Sequence, residues 1–238
     1  MVNGTLILLG RQTARSDGTI ETHAERLRQR GVAETVQVER YDETWSPAVD
    51  EDVVDECDDR TDEDVFVVPI IVAETNETRD VIPAFGEIID SATLCDPVGR
   101  SPAVTDAIAE RAAEQIRPHG ETSLVLVGLG SSSMPHQRRT LEYHERRLRE
   151  RTDYGEVTSA YLLQDPTVEC AHYNVTNEQT VVVPVFITPC AATEEVVAKF
   201  GRDGVEHADS LGTHPRLTDA ICAEVAKHRA LEAHAEDS

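Results

Sequence analysis

The residues whose types and positions could do chemistry are Arg11, Glu77, Ser131, Ser132, Ser133, His136 and Cys190. A carboxylate such as Glu77 ligates hard or borderline divalent ions, and accepts a proton if its pKa is raised. Near a helix start it is also favoured by the helix dipole alone. Arg11 stays protonated and cannot be a base. It can clamp a carboxylate through two parallel bonds, or simply face water as a surface arginine. The run Ser131–Ser133 follows Gly130 and offers hydroxyls and backbone N–H groups to an anion; as ordinary loop and N-cap residues the same serines need no ligand. Cys190 is either a thiolate ligand for a soft-tolerant metal or a buried, inert thiol. His136 lies in the same loop region as the serines. His23 and His144 sit mid-helix in matching surroundings, which reads as inherited packing or surface residues rather than catalysis. Cys170 and His172 are two apart, which is not a helical metal spacing, and Arg146–Arg151 reads as a solvated helix face.

What must position these residues is a repeated plan. Thr19–Arg28 and Thr140–Arg149 agree at six of ten positions, as do Gly99–Ile108 and Gly212–Ile221. Leu6–Gly10 matches Leu124–Gly128, and Val67–Ile71 matches Val182–Phe186, in the same order. This pattern predicts a tandem duplication, with lobes over 1–117 and 122–229 and a flexible tail over 230–238. Each half alternates apolar runs with helical periodicity. Strands are predicted at 5–9, 35–38, 65–73 and 93–98, then at 123–127, 156–162, 179–187 and 205–210. Helices are predicted near 19–30, 47–57, 78–89 and 102–117, with Pro83 signalling a bend or a late start. Alternating strand and helix units give an α/β fold, each lobe a parallel β-sheet flanked by helices. In such sheets ligands bind beyond the carboxyl ends of the strands. Four loops reach that position: 10–13, 73–77, 128–133 and 188–192.

Composition narrows the function. The 238 residues carry 22 basic and 45 acidic side chains, a net charge of −23. Only Lys199 and Lys227 are lysines. This surface repels a phosphate backbone, and aromatics are 4%, so nucleic acid is excluded as a partner. Acid is spread over both halves, which predicts adaptation to high salt rather than an acidic docking patch. The apolar runs are too short for a membrane helix, and the first residues lack the basic flank of a signal peptide. Five cysteines without paired spacing fit reduced thiols in a cytoplasm.

The residues also carry a family resemblance. The strand–glycine openings, the Val-Val-Pro strands, Asp80-Val-Ile-Pro83, Val98-Gly-Arg-Ser-Pro102 and Leu211-Gly-Thr-His-Pro215 resemble the sirohydrochlorin cobaltochelatases, class II tetrapyrrole chelatases of the long two-lobed form. The resemblance spans roughly residues 4–228. It implies insertion of a divalent metal, usually Co²⁺, into a carboxylate-rich tetrapyrrole during cobalamin synthesis. The metal is then a substrate and no organic cofactor is implied. The partners are the tetrapyrrole and the ion, with self-association as a further expectation.

The family places histidines at the strand ends. The matching positions here hold Arg11, Leu129, Glu77 (or Asn76, counting from Asp80) and Ala192. On this reading Glu77 is the base, and Glu77, Cys190 and His136 are the metal ligands. Arg11, Ser131 and Ser132 hold substrate carboxylates. The alternative is a non-catalytic paralogue that binds a tetrapyrrole or metal, or partners an active chelatase.

Overall fold

The structure is a computed structural model that describes residues 2–12, 18–41, 64–75, 78–88, 92–188, 191–199 and 205–236. The helix predicted over 47–57 lies outside the described residues. The first half contains β1 (Val2–Arg11), α1 (Thr19–Gln29), β2 (Ala33–Tyr41), β3 (Asp64–Pro69), α2 (Thr78–Ile88), β4 (Ala92–Leu94) and α3 (Pro102–Gln115). The second contains β5 (Thr122–Gly128), α4 (His136–Arg151), β6 (Glu156–Tyr161), β7 (Gln179–Pro184), α5 (Ala191–Lys199), β8 (Val205–His207) and α6 (Pro215–Glu236).

Both sheets are parallel and share one strand order, β2-β1-β3-β4 and β6-β5-β7-β8. The central strands are buried on both faces, which explains their unbroken apolar runs. Leu6 and Leu8 face one core with Leu124, Leu126, Val181 and Val183, while Ile7 and Leu9 face an outer layer with Ile82 and Phe85 of α2. Strands β3 and β7 are shorter than the apolar runs predict. Both end at a proline, Pro69 and Pro184, which has no N–H for the ladder. Helix α2 runs through Pro83 without a late start.

The packing departs from the order of the chain. Helix α3 lies on β7 and α4 of the second half, whereas α6 lies on α1 and β3 of the first. The terminal helices are exchanged, and one core joins the two halves through Val104, Ile108, Leu217 and Ile221. A cut after residue 117 therefore follows the chain but divides the packing. The expected tail from 230 is instead helical through Glu236, and the Glu232 carboxylate is hydrogen-bonded to the Thr93 hydroxyl of β4. Among the described residues no helix is long and apolar enough to cross a membrane.

Candidate functional site

The carboxyl ends of β1, β3, β5 and β7 converge on a cavity of about 570 Å³ between the halves. That volume suits a small-molecule ligand. All four predicted loops contribute to its wall. Arg11 and Ala73 come from the first half, Ser131, Ser132, Thr188 and Ala192 from the second. The walls are mostly apolar, with Ile70, Ile71, Val72, Leu129, Leu163, Val185, Phe186 and Ile187. Among the described lining residues Arg11 is the only charged side chain.

Arg11 is placed by strand register. It pairs with Tyr41 at the end of β2, and the Gln12 N–H donates to the Tyr41 carbonyl at 2.7 Å. Tyr41 is buried and lines the cavity. The serine loop is held from within. The Gly130 N–H donates to Gln137 Oε1 at 2.8 Å, and the Ser131 N–H to Gln164 Oε1 at 2.9 Å. The Ser133 and Met134 N–H groups donate to Ser131 Oγ at 3.3 and 3.2 Å. Gly130 has φ +76°, and a Cβ there would meet Gln164 Cγ at 2.6 Å, so only glycine fits this turn. The loop therefore spends several backbone donors on itself. What it turns outward is hydroxyl chemistry, with Ser132 exposed.

Glu77 and Cys190 lie outside the described residues, as does Asn76. Their described neighbours line the cavity: Thr75 and Thr78 on one side, Thr188 and Ala191 on the other. Thr75 and Thr78 bond reciprocally, Thr75 N–H to Thr78 Oγ1 at 2.8 Å and Thr78 N–H to Thr75 Oγ1 at 3.3 Å. This is the geometry of a capping box. His136 does not line this cavity. It lies in a neighbouring one of about 680 Å³, with Nε2 3.9 Å from Glu74 Oε2 of the other half. The two cavities share Val72 and Ala73.

Sequence reasoning placed Thr75 in a lining loop but missed Tyr41, Thr78 and Gln137 as lining residues. The Thr-x-x-Thr spacing at 75–78 was the one readable clue. Tyr41 and Gln137 reach the cavity through register and loop geometry that no local pattern announces.

A family model described as CbiX matches residues 123–228. A protein named probable sirohydrochlorin cobaltochelatase, from Halobacterium salinarum, is 24% identical, over 93% of this chain and 90% of its own length. The second half of the chain is thus similar to the CbiX family, and the chain as a whole is similar to a protein named as a chelatase. Two solved structures share the fold. SirB from Bacillus subtilis with Fe³⁺ superposes with a TM-score of 0.73 at 18% identity, covering 94% of this chain and 95% of its own. SirB from the subspecies spizizenii, in complex with cobalt, gives 0.74 at 16% identity, covering 94% of each chain. Three of the positions where the sequence reading expects histidine are described. Arg11, Leu129 and Ala192 all line the cavity.

Proposed function

We propose that the cavity binds a carboxylate-rich tetrapyrrole and that the chain inserts a divalent metal into it, with sirohydrochlorin and Co²⁺ as the leading pair. The observation that carries this reading is the cavity itself. Apolar walls suit a macrocycle face, while Arg11 and the serine hydroxyls suit its carboxylates. The printed name of the Halobacterium salinarum relative supports the substrate and the metal.

Insertion requires that two pyrrole N–H protons leave and a desolvated ion enter. Glu77 is the proposed proton acceptor, because the residues flanking it line the cavity and so does Ala192, its matched position in the other half. A carboxylate there exchanges the family's imidazole for another base. Arg11 orients the substrate, since it keeps its charge throughout. Cys190 is proposed as an additional ligand to the incoming ion.

One observation favours a second reading, a non-catalytic tetrapyrrole binder. The described lining residues include no carboxylate, imidazole or thiol. Absorbance-monitored metallation of sirohydrochlorin with Co²⁺, in molar salt, separates the two. Protein-dependent insertion supports the chelatase. A bound, spectrally shifted but metal-free tetrapyrrole establishes the binder.

A further inference from the structure

Among the described residues, metal-ligating side chains collect in the neighbouring cavity rather than in the wall of the first. The neighbouring 680 Å³ cavity is lined by Glu74, Asp96, His136 and Glu224. At one end, Asp96, Glu224 and His228 each offer a ligand atom, all within 4.8 Å of one another. Asp96 follows β4 of the first half. Glu224 and His228 lie four residues apart on α6, and so share one helix face. The set therefore bridges the seam made by the helix exchange.

We propose that Asp96, Glu224 and His228 bind a borderline divalent cation of the Co²⁺ type. Two carboxylates and one imidazole suit such an ion better than Mg²⁺, which prefers an all-oxygen shell. A cation already stands among them. The Lys227 ammonium is 2.6 Å from Asp96 Oδ2 and is also bonded to Glu224. It supplies one positive charge against two negative ones, so a divalent ion completes the neutralisation. Lys227 is 43% exposed and can yield its place by swinging into water. His228 Nε2 accepts a long 3.3 Å bond from the Asp96 N–H and lies 3.4 Å from Glu224 Oε1, weak contacts that a coordinate bond outcompetes. Arg100 lines the same cavity, but its guanidinium stacks 5.9 Å over the Tyr143 ring.

The shared Val72–Ala73 wall sets this site beside the cleft that Arg11 lines, with the Glu74–His136 pair in the same chamber. A role as a holding point for the metal to be inserted rests on the proposed function; the binding does not. Equilibrium dialysis of the full chain against Co²⁺ reads it directly, in molar KCl with excess Mg²⁺ and no tetrapyrrole. One Co²⁺ per chain is expected. His228→Gln and Asp96→Asn each weaken it at least about 10-fold, the low end for even an outer-sphere partner. Lys227→Gln tightens it. Should Asp96→Asn fail to fold, His228→Gln alone carries the test, with a thermal melt confirming its fold. Absence of saturable Co²⁺ binding, or unchanged affinity in the folded variants, overturns the site. So does a thiolate–cobalt absorbance band that survives His228→Gln and vanishes in Cys190→Ser. Binding without metallation would leave this site standing and remove the insertion reading alone.

Discussion

His23 Nδ1 lies 2.9 Å from the Thr218 hydroxyl, and its Nε2 lies 3.1 Å from the Gly212 carbonyl. The other half repeats the arrangement with His144, Thr105 and Gly99, at 2.8 and 2.6 Å. All four side chains are buried; each histidine–threonine bond joins a helix of one half to the exchanged terminal helix of the other, and each carbonyl bond reaches the turn just before that helix. The carbonyl fixes the tautomer in both cases: Nε2 carries the hydrogen and donates, while Nδ1 accepts from threonine.

The first prediction is that these clasps hold the exchanged helices in place. His144→Ala leaves the Gly99 carbonyl and the Thr105 hydroxyl without their partner and opens a cavity. A cost of roughly 2–4 kcal/mol is expected from these two effects. Urea denaturation at fixed high salt checks it. A loss below about 0.5 kcal/mol would show that the helices are held by apolar packing alone.

The second prediction is a pH dependence of known sign. Burial disfavours the imidazolium, so it pulls the His144 pKa down to about 4 and lowers that of His23. Above pH 6.5 both are neutral, folded or unfolded, and contribute no pH dependence. Below 6.5 the unfolded chain takes up protons that the folded chain refuses. Stability therefore falls with acidification, by at most about 1.4 kcal/mol per pH unit from His144 down to about pH 4, with His23 acting in the same direction. The Glu156 carboxylate acts lower. Hydrogen bonds from Thr176 and Ser123 hold its pKa near 2, so its share is lost only between the ordinary carboxylate range and that value. Melts between pH 7.5 and 4.5 should fall steeply, and His144→Gln should flatten the slope. An unchanged slope would mean that other groups set it.

The histidine clasps show where sequence reading reached and where it stopped. The matched segments around His23 and His144, and around Thr105 and Thr218, are visible as repeats, and a mid-helix place in the packing or at the surface was inferable. Which histidine meets which threonine was not. Periodicity marks the buried face of α3 or α6 without saying which sheet will cover it, and both carry the same Thr-Asp-Ala-Ile run. The apolar runs located every described strand. They overran the ends at Pro69, Leu94 and Pro184, because a buried loop leaving a sheet is as apolar as the strand. At the site, Arg11 and the serine loop followed from the rule on strand ends. The Asp96–Glu224–His228 set did not, because its members come from two halves brought together only by the exchange.

The third prediction concerns salt. At about 0.01 M ionic strength the Debye length is ~30 Å, so the net charge of −23 repels itself across the molecule; at 1 M it is ~3 Å. Salt also weakens the ion pairs, but exposed pairs contribute only ~0–1 kcal/mol each. Both lysines are already committed, Lys199 to Glu169 and Glu195, Lys227 to Asp96 and Glu224. Relief of repulsion should win, and the melting midpoint should climb with added KCl. A flat or falling series would defeat the reading of salt adaptation.

The fourth prediction assigns Arg11 to binding. Its charge-assisted bonds to a substrate carboxylate should contribute about 1.5–3 kcal/mol. Arg11→Met keeps length and apolar bulk, so it should weaken sirohydrochlorin binding about 10–100-fold in an absorbance titration. Ser132→Ala, on an exposed hydroxyl, should cost far less. Equal affinity for the unmutated chain and Arg11→Met would remove the arginine from the binding role.

The fifth prediction concerns Glu77. Among the four positions where the family places histidine, it is the one that supplies a base, since Arg11 is fixed as a cation and Leu129 and Ala192 have no ionisable group. Glu77→Gln keeps the shape nearly constant while removing the charge that accepts a pyrrole proton. Insertion should slow at least ~10²-fold, the low end for a positioned general base. Tetrapyrrole affinity should stay within a few-fold, because Arg11 and the serine loop are untouched. The pH–rate profile adds a second readout: a carboxylate base gives a rate that rises with pH through its pKa and then levels, and Glu77→Gln should abolish that rise. If the variant metallates at the unmutated rate, Glu77 is only a carboxylate near a helix start. The Glu74–His136 pair, 3.9 Å apart across the seam, then becomes the next base to remove.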